Sequence, residues 1–300
     1  VISDRRRLGL LVVAMSVLLA VIVPQATRAV SGTAQAAVIP GAPAVGDCLL
    51  QRISLRNGYE TTTGFTAPTA QIAPCDGARF GEVVGLTPAR GITRSERLQG
   101  CGASARDYLG AGDPADATGP WMPSIRSGVV LAGPDDLQRA AGQDWVACVV
   151  DLSPFGTDTD TGTYDGTARG GYDGGRLPSA FALCRSGRDV IDAADIPCTQ
   201  AHAVEVLAST FDVPATAAAT LGRTCDALAR RLTRMPDVTA GGRLEVVVNS
   251  GYVGADGTLY PGADADGHVS LAQCLIGVVG PETLSGTVIG LGDAPVPWAG

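Results

Sequence analysis

Apolar positions along this chain fall into two matching series of short runs. In the first, DCLLQRI (47–53) and GEVVGL (81–86) have the length and β-branched content of strands. LQGCGASARDYLG (98–110) sets Leu98, Cys101, Ala105, Tyr108 and Leu109 near one face of a helix, and DWVACVVD (144–151) closes the series as a strand. In the second, TLGRTCDALARRLTRM (220–235) puts Leu221, Cys225, Leu228 and Leu232 on one stripe with Arg opposite. RLEVVV (243–248) and VSLAQCLIGVVG (269–280) supply its late strands. The predicted fold is α+β: two tandem small domains, over 45–151 and 177–280, each a mainly antiparallel sheet with one packed helix.

Local sequence agrees with this duplication. Pro74-Cys75 is followed by Glu82-Val83, and Pro197-Cys198 by Glu205-Val206, at the same spacing. Both helices open C-x-A-x-A-R, from Cys101 to Arg106 and from Cys225 to Arg230. Between the copies, residues 153–176 are dense in Gly, Asp and Thr without apolar periodicity and read as a flexible linker. Residues 37–44 read as a short extended spacer and 281–300 as a C-terminal tail.

The chain has eight cysteines: Cys48, Cys75, Cys101, Cys148, Cys184, Cys198, Cys225 and Cys274. Their intervals are x26, x25 and x46 in the first set and x13, x26 and x48 in the second. An even number at repeated spacing is the mark of a disulfide framework in an exported protein. If the copies pair alike, three connectivities remain for each. A first interval that varies beside a constant second favours Cys48–Cys75, Cys101–Cys148, Cys184–Cys198 and Cys225–Cys274. The helix cysteines then point inward toward strand cysteines.

The N-terminus fits export. Arg5, Arg6 and Arg7 precede an uncharged apolar run over 8–23, Pro24 ends it, and Ala34-Gln35-Ala36 offers a cleavage site. Residues 1–36 are therefore either a signal peptide or a retained membrane anchor, with the remaining chain outside. Removing them takes away four Arg and one Asp, and the net charge moves from −8 to −11. So acidic a body is repelled by nucleic acid and by anionic lipid, which leaves basic partners and neutral wall polymers.

Composition removes further chemistry. All 22 basic residues are Arg, so a Walker A loop, a Schiff-base enzyme, a protein kinase and a Ser-Lys hydrolase are excluded. No G-x-S-x-G, H-E-x-x-H or G-x-G-x-x-G motif occurs, and His202 and His268 are the only imidazoles. Asp158, Asp160 and Asp165 lack the Gly and terminal Glu of a calcium loop. No catalytic residue, cofactor or metal is expected. His202 and Glu205, with Arg79 and Glu82 at the equivalent places of the first copy, are the candidate binding residues. In a strand, residues 202 and 205 lie on opposite faces, which disfavours a His-Glu dyad.

The segments VGDCL (45–49), PCDGARFGEVVGL (74–86) and CGASARDYLG (101–110), with PCTQAHAVEVLASTF (197–211) and CDALARRL (225–232), resemble the septum formation domain family of actinobacterial envelope proteins. That family carries a Gly-Asp-Cys opening, Pro-Cys-x-x-x-His-x-x-Glu-Val, a Cys-led helix and a final strand Cys. Copy one departs with Arg79 at the His position, and copy two with FALC (181–184) in place of Gly-Asp-Cys. The resemblance implies an extracytoplasmic, membrane-linked envelope protein without enzyme activity. Such a protein would bind or scaffold an envelope protein or wall polymer in wall or septum assembly. The alternative is a secreted enzyme or enzyme inhibitor acting on wall material, favoured if His202, Glu205 and an Asp share one cleft.

Overall fold

The computed structural model describes residues 15, 38–53, 59–61, 64–111, 121–124, 126–152, 162–187 and 195–299. The expected export segment, apart from Met15, lies outside these residues, as do Asp158 and Asp160. Residues 1–39 and 40–300 are separate compact units, and the fold concerns the second. Among the described residues no helix is long and apolar enough to cross a membrane.

In chain order the first half contains β1 (Cys48–Leu49), β2 (Tyr59–Thr61), β3 (Gly64–Thr66), β4 (Ile72–Ala73), β5 (Gly81–Pro88) and helix α1 (Arg94–Leu109). It continues with β6 (Met122–Pro123), β7 (Gly128–Ala132), the short α2 (Asp136–Ala140) and β8 (Trp145–Asp151). The second half contains β9 (Leu183–Arg185), β10 (Asp195–Pro197), β11 (Val204–Val213), α3 (Ala215–Ala218), α4 (Leu221–Thr233), β12 (Leu244–Val253), β13 (Leu259–Pro261) and β14 (Val269–Val278). The sheets run β4-β1-β5-β8-β7 and β10-β9-β11-β14-β12-β13, so the same strand order is built twice, all antiparallel. Register repeats as well: Cys48 pairs with Glu82 and Cys184 with Glu205. Both central strands break register at the same place, between Val83 and Gly85 and between Val206 and Ala208.

One helix lies on each sheet, and disulfides Cys101–Cys148 and Cys225–Cys274 tie α1 to β8 and α4 to β14. Cys48–Cys75 and Cys184–Cys198 close the opening loops. All eight cysteines are paired as the spacing favoured, which marks a chain that matures in an oxidising, extracytoplasmic environment. The stripe expected on α4 is buried throughout. On α1 the buried face runs Arg97, Cys101, Ala105, Tyr108, and Leu98 points outward at 36% exposure. Arg97 takes the inward place because its guanidinium donates to the carbonyls of Pro88 and Ala89, both at 3.0 Å, and so satisfies the loop that leads into the helix.

Residues 162–176 of the expected flexible linker, and the expected C-terminal tail, are both packed parts of the fold. Residues 162–176 return over the first module, burying Tyr164, Ala168 and Tyr172; residues 281–299 return over the second, burying Leu284, Val288 and Ile289. Each strap crosses the end of its helix in the same way. Gly170 and Tyr172 donate backbone N–H to the carbonyls of Tyr108 and Leu109, and Gly290 and Gly292 donate to those of Leu232 and Thr233, at 2.8–2.9 Å. Carbonyls at a helix C-terminus have no partner within the helix, and the straps supply one.

The two modules share one apolar cluster rather than swinging on a flexible joint. Strand β6, from the first half, pairs with Ala208 and Ser209 of β11. Beside it Trp121 is 3% exposed and donates Nε1–H to Thr224 Oγ1 at 2.9 Å. Tyr164 meets Phe181 edge to face at 4.7 Å, and Arg234 reaches across to the carbonyl of Gly174 at 2.8 Å. Gly290 backs onto the carbonyl of Gly175, a place where any Cβ would collide with main chain. Trp121→Ala is therefore expected to cost about 3 to 5 kcal/mol and to let the halves unfold apart. Urea denaturation followed by circular dichroism measures this; one unshifted transition would mean the β6 arm contributes nothing to the joint.

Candidate functional site

Burying a carboxylate is costly unless hydrogen-bond donors replace water, and that requirement explains Glu82. Its carboxylate, 1% exposed, accepts from Tyr108 Oη at 2.5 Å, Tyr164 Oη at 3.0 Å, Thr167 Oγ1 at 2.7 Å and the Ala168 N–H at 3.0 Å. Burial and the adjacent carboxylate push both phenols upward, which keeps them protonated as donors. Glu205, fully buried, accepts from Thr287 Oγ1 and from the Val288 N–H at 2.8 Å. The places of Tyr108 and Tyr164 are taken in the second module by Leu232 and Leu284. With half the donors, burial outweighs the hydrogen bonds and raises the Glu205 carboxyl to about 7.

Arg79 and His202 also do equivalent work. Each exchanges two backbone hydrogen bonds with its strap, Arg79 with Tyr164 and His202 with Leu284. Each side chain also contacts the carbonyl two residues back: Arg79 Nη2 donates to Gly77 at 2.8 Å, and His202 Nδ1 lies 2.8 Å from Gln200. Desolvation holds the His202 pKa below its ordinary value and favours the neutral ring. The four candidate residues thus lie inside the modules, with Arg79 9% and His202 1% exposed, rather than on a binding surface. His202 and Glu205 share no open cleft.

The strap donors were missed in the sequence, although a signal was there. TYDGTARG (163–170) and TLSGTVIG (283–290) both read T-x-x-G-T-x-x-G. The second Thr supplies the hydroxyl, and the second Gly turns with φ of 63° and 69°.

A surface groove of about 410 Å³ lies in the first module, at the end of β5 and the start of β8. Thr87, Arg90, Gln143, Asp144 and Trp145 line it, with Ala42 at one side. Its walls are fixed. Arg97 holds the Pro88–Ala89 turn from beneath. Gln143 accepts from Trp145 Nε1 at 2.9 Å and donates to the carbonyl of Pro40 at 2.7 Å, which locks the indole and the incoming chain together. Trp145 is half-buried against the outer cluster of the sheet. Arg90 and Asp144 face each other on the rim at 3.9 Å, their side chains 80% and 68% exposed. A contact so open is worth little as an ion pair and leaves both groups available to a ligand.

The two buried glutamates respond differently to substitution, and Glu205 also responds to pH. Glu82→Gln leaves four donors facing an amide and is expected to cost about 3 kcal/mol. Glu205 keeps its proton up to about 7 when folded, whereas an unfolded glutamate ionises near 4.5. Its stabilising contribution is present below pH 4.5 and is lost as pH rises through 7, about 3 kcal/mol in all. Glu205→Gln should flatten that slope. Denaturation at pH 4.5, 6 and 8 checks both outcomes. Comparison with known protein families, with curated proteins and with solved structures finds no match to this chain.

Proposed function

We propose that this protein is a non-enzymatic binding or scaffolding module of the actinobacterial cell envelope, acting in wall or septum assembly, and that the groove beside Trp145 holds a segment of neutral wall glycan. The observation that carries this reading is the locked indole between exposed polar groups. A sugar ring presents an apolar C–H face to an aromatic plane and hydroxyls around its edge, and Arg90, Asp144 and Thr87 supply the donors and acceptors for that edge. The volume suits a short oligosaccharide rather than a folded partner. The strongly acidic chain speaks for a neutral polymer over an anionic one. The internal places of Glu82, Glu205 and His202 support a role in building the modules rather than in turnover.

Soluble glycan fragments released from an actinobacterial wall, titrated into the protein with tryptophan fluorescence as readout, test the proposal. Saturable quenching is expected, with Trp145→Ala weakening affinity at least about tenfold, a loss of roughly 1.4 kcal/mol or more. Arg90→Ala should weaken it less. Cleavage of the fragments would replace this reading with the enzymatic one, and absence of binding would remove the glycan.

A further inference from the structure

The second opening loop holds a group of ligand atoms that its counterpart lacks. Cys184 Sγ, Cys198 Sγ and a ring nitrogen of His202 lie within 4.8 Å of one another, and all three residues are buried. The carbonyl of Gln200 can only accept, so in the neutral ring Nδ1 carries the proton and Nε2 carries the lone pair. That Nε2 is buried and has no hydrogen-bond partner. An orphaned imidazole nitrogen whose opposite N–H is fixed by a backbone carbonyl has the arrangement of a metal-binding histidine. Two thiolates about 2.3 Å from a tetrahedral zinc stand roughly 3.8 Å apart, and an imidazole nitrogen stands at a similar distance from each. Opening the disulfide has to move the two sulfurs apart to that spacing, and the imidazole is already within 4.8 Å of both.

We propose that, in their dithiol state, Cys184 and Cys198 together with His202 form a site for one soft divalent cation of the zinc type. The loop then has two alternative closures, a disulfide and a metal. A dithiol reductant supplies two electrons and two protons to the Cys184–Cys198 bond and leaves as its own cyclic disulfide. The cation displaces the two thiol protons to solvent and takes both thiolates and the imidazole lone pair. The first module is an internal control: Arg79, permanently protonated, stands in the histidine's place, and Cys75 is exposed.

The full chain, reduced anaerobically with a trialkylphosphine and titrated with cadmium or zinc, tests the site. One cadmium per chain is expected, with a sulfur-to-metal charge-transfer band. Mass mapping after alkylation should show Cys184 and Cys198 shielded while Cys48 and Cys75 react. If reduction opens the chain, the metal should restore its circular dichroism. His202→Gln, which in oxidised form should keep four disulfides and the same spectrum, is expected to lose at least about tenfold in metal affinity. Three results overturn the proposal: no shielding, equal shielding of Cys48 and Cys75, or a His202→Gln chain that binds as tightly as the parent.

Discussion

A carboxylate taken out of water must be given donors in its place, and in this protein a single glutamate in each central strand imposes that condition on everything around it. Glu82 and Glu205 sit at the same register, opposite the first cysteine of each module. Neither strand neighbour can satisfy them, because main-chain groups of the sheet are already paired. Apart from Tyr108 of α1, the donors come from the straps, which start beyond the last strand and return across the end of the helix. One carboxyl group in each module thereby joins sheet, strap and helix terminus. Disulfides Cys101–Cys148 and Cys225–Cys274 clamp the same helices to the same sheets from the core.

The duplicated clasps have diverged in a way that their chemistry explains. Copy one surrounds its carboxylate with two phenols, a hydroxyl and an amide, four donors in place of water. Copy two puts leucines where the phenols were, and the carboxyl responds by holding its proton to about 7. The straps also meet each other, at Gly290 and Gly175, and Arg234 of the second helix reaches the first strap. The coupling between modules therefore passes through the same segments that satisfy the glutamates. The groove at Trp145 is held locally instead, its loop by Arg97 and its indole by Gln143.

The sequence by itself determined the duplication, the antiparallel α+β class and the sulfur pairing, because each leaves a local trace: cysteine intervals, a helical stripe from Leu221 to Leu232, and apolar strand runs. It placed Leu98 on the inward face of α1, where Arg97 is buried instead. A stripe count assigns the leucine inward on hydrophobicity, whereas the turn at Pro88 and Ala89 needed a guanidinium, and that need exists only once the loop has closed. The role of residues 162–176 was hidden for a related reason. Their composition lacks periodicity because they are held by a buried carboxylate and by helix-end carbonyls, not by an apolar stripe. Tertiary structure alone decided that Glu82, Glu205 and His202 face inward, that β6 crosses to β11, and that Trp145 lines a groove, since each depends on contacts between segments tens of residues apart.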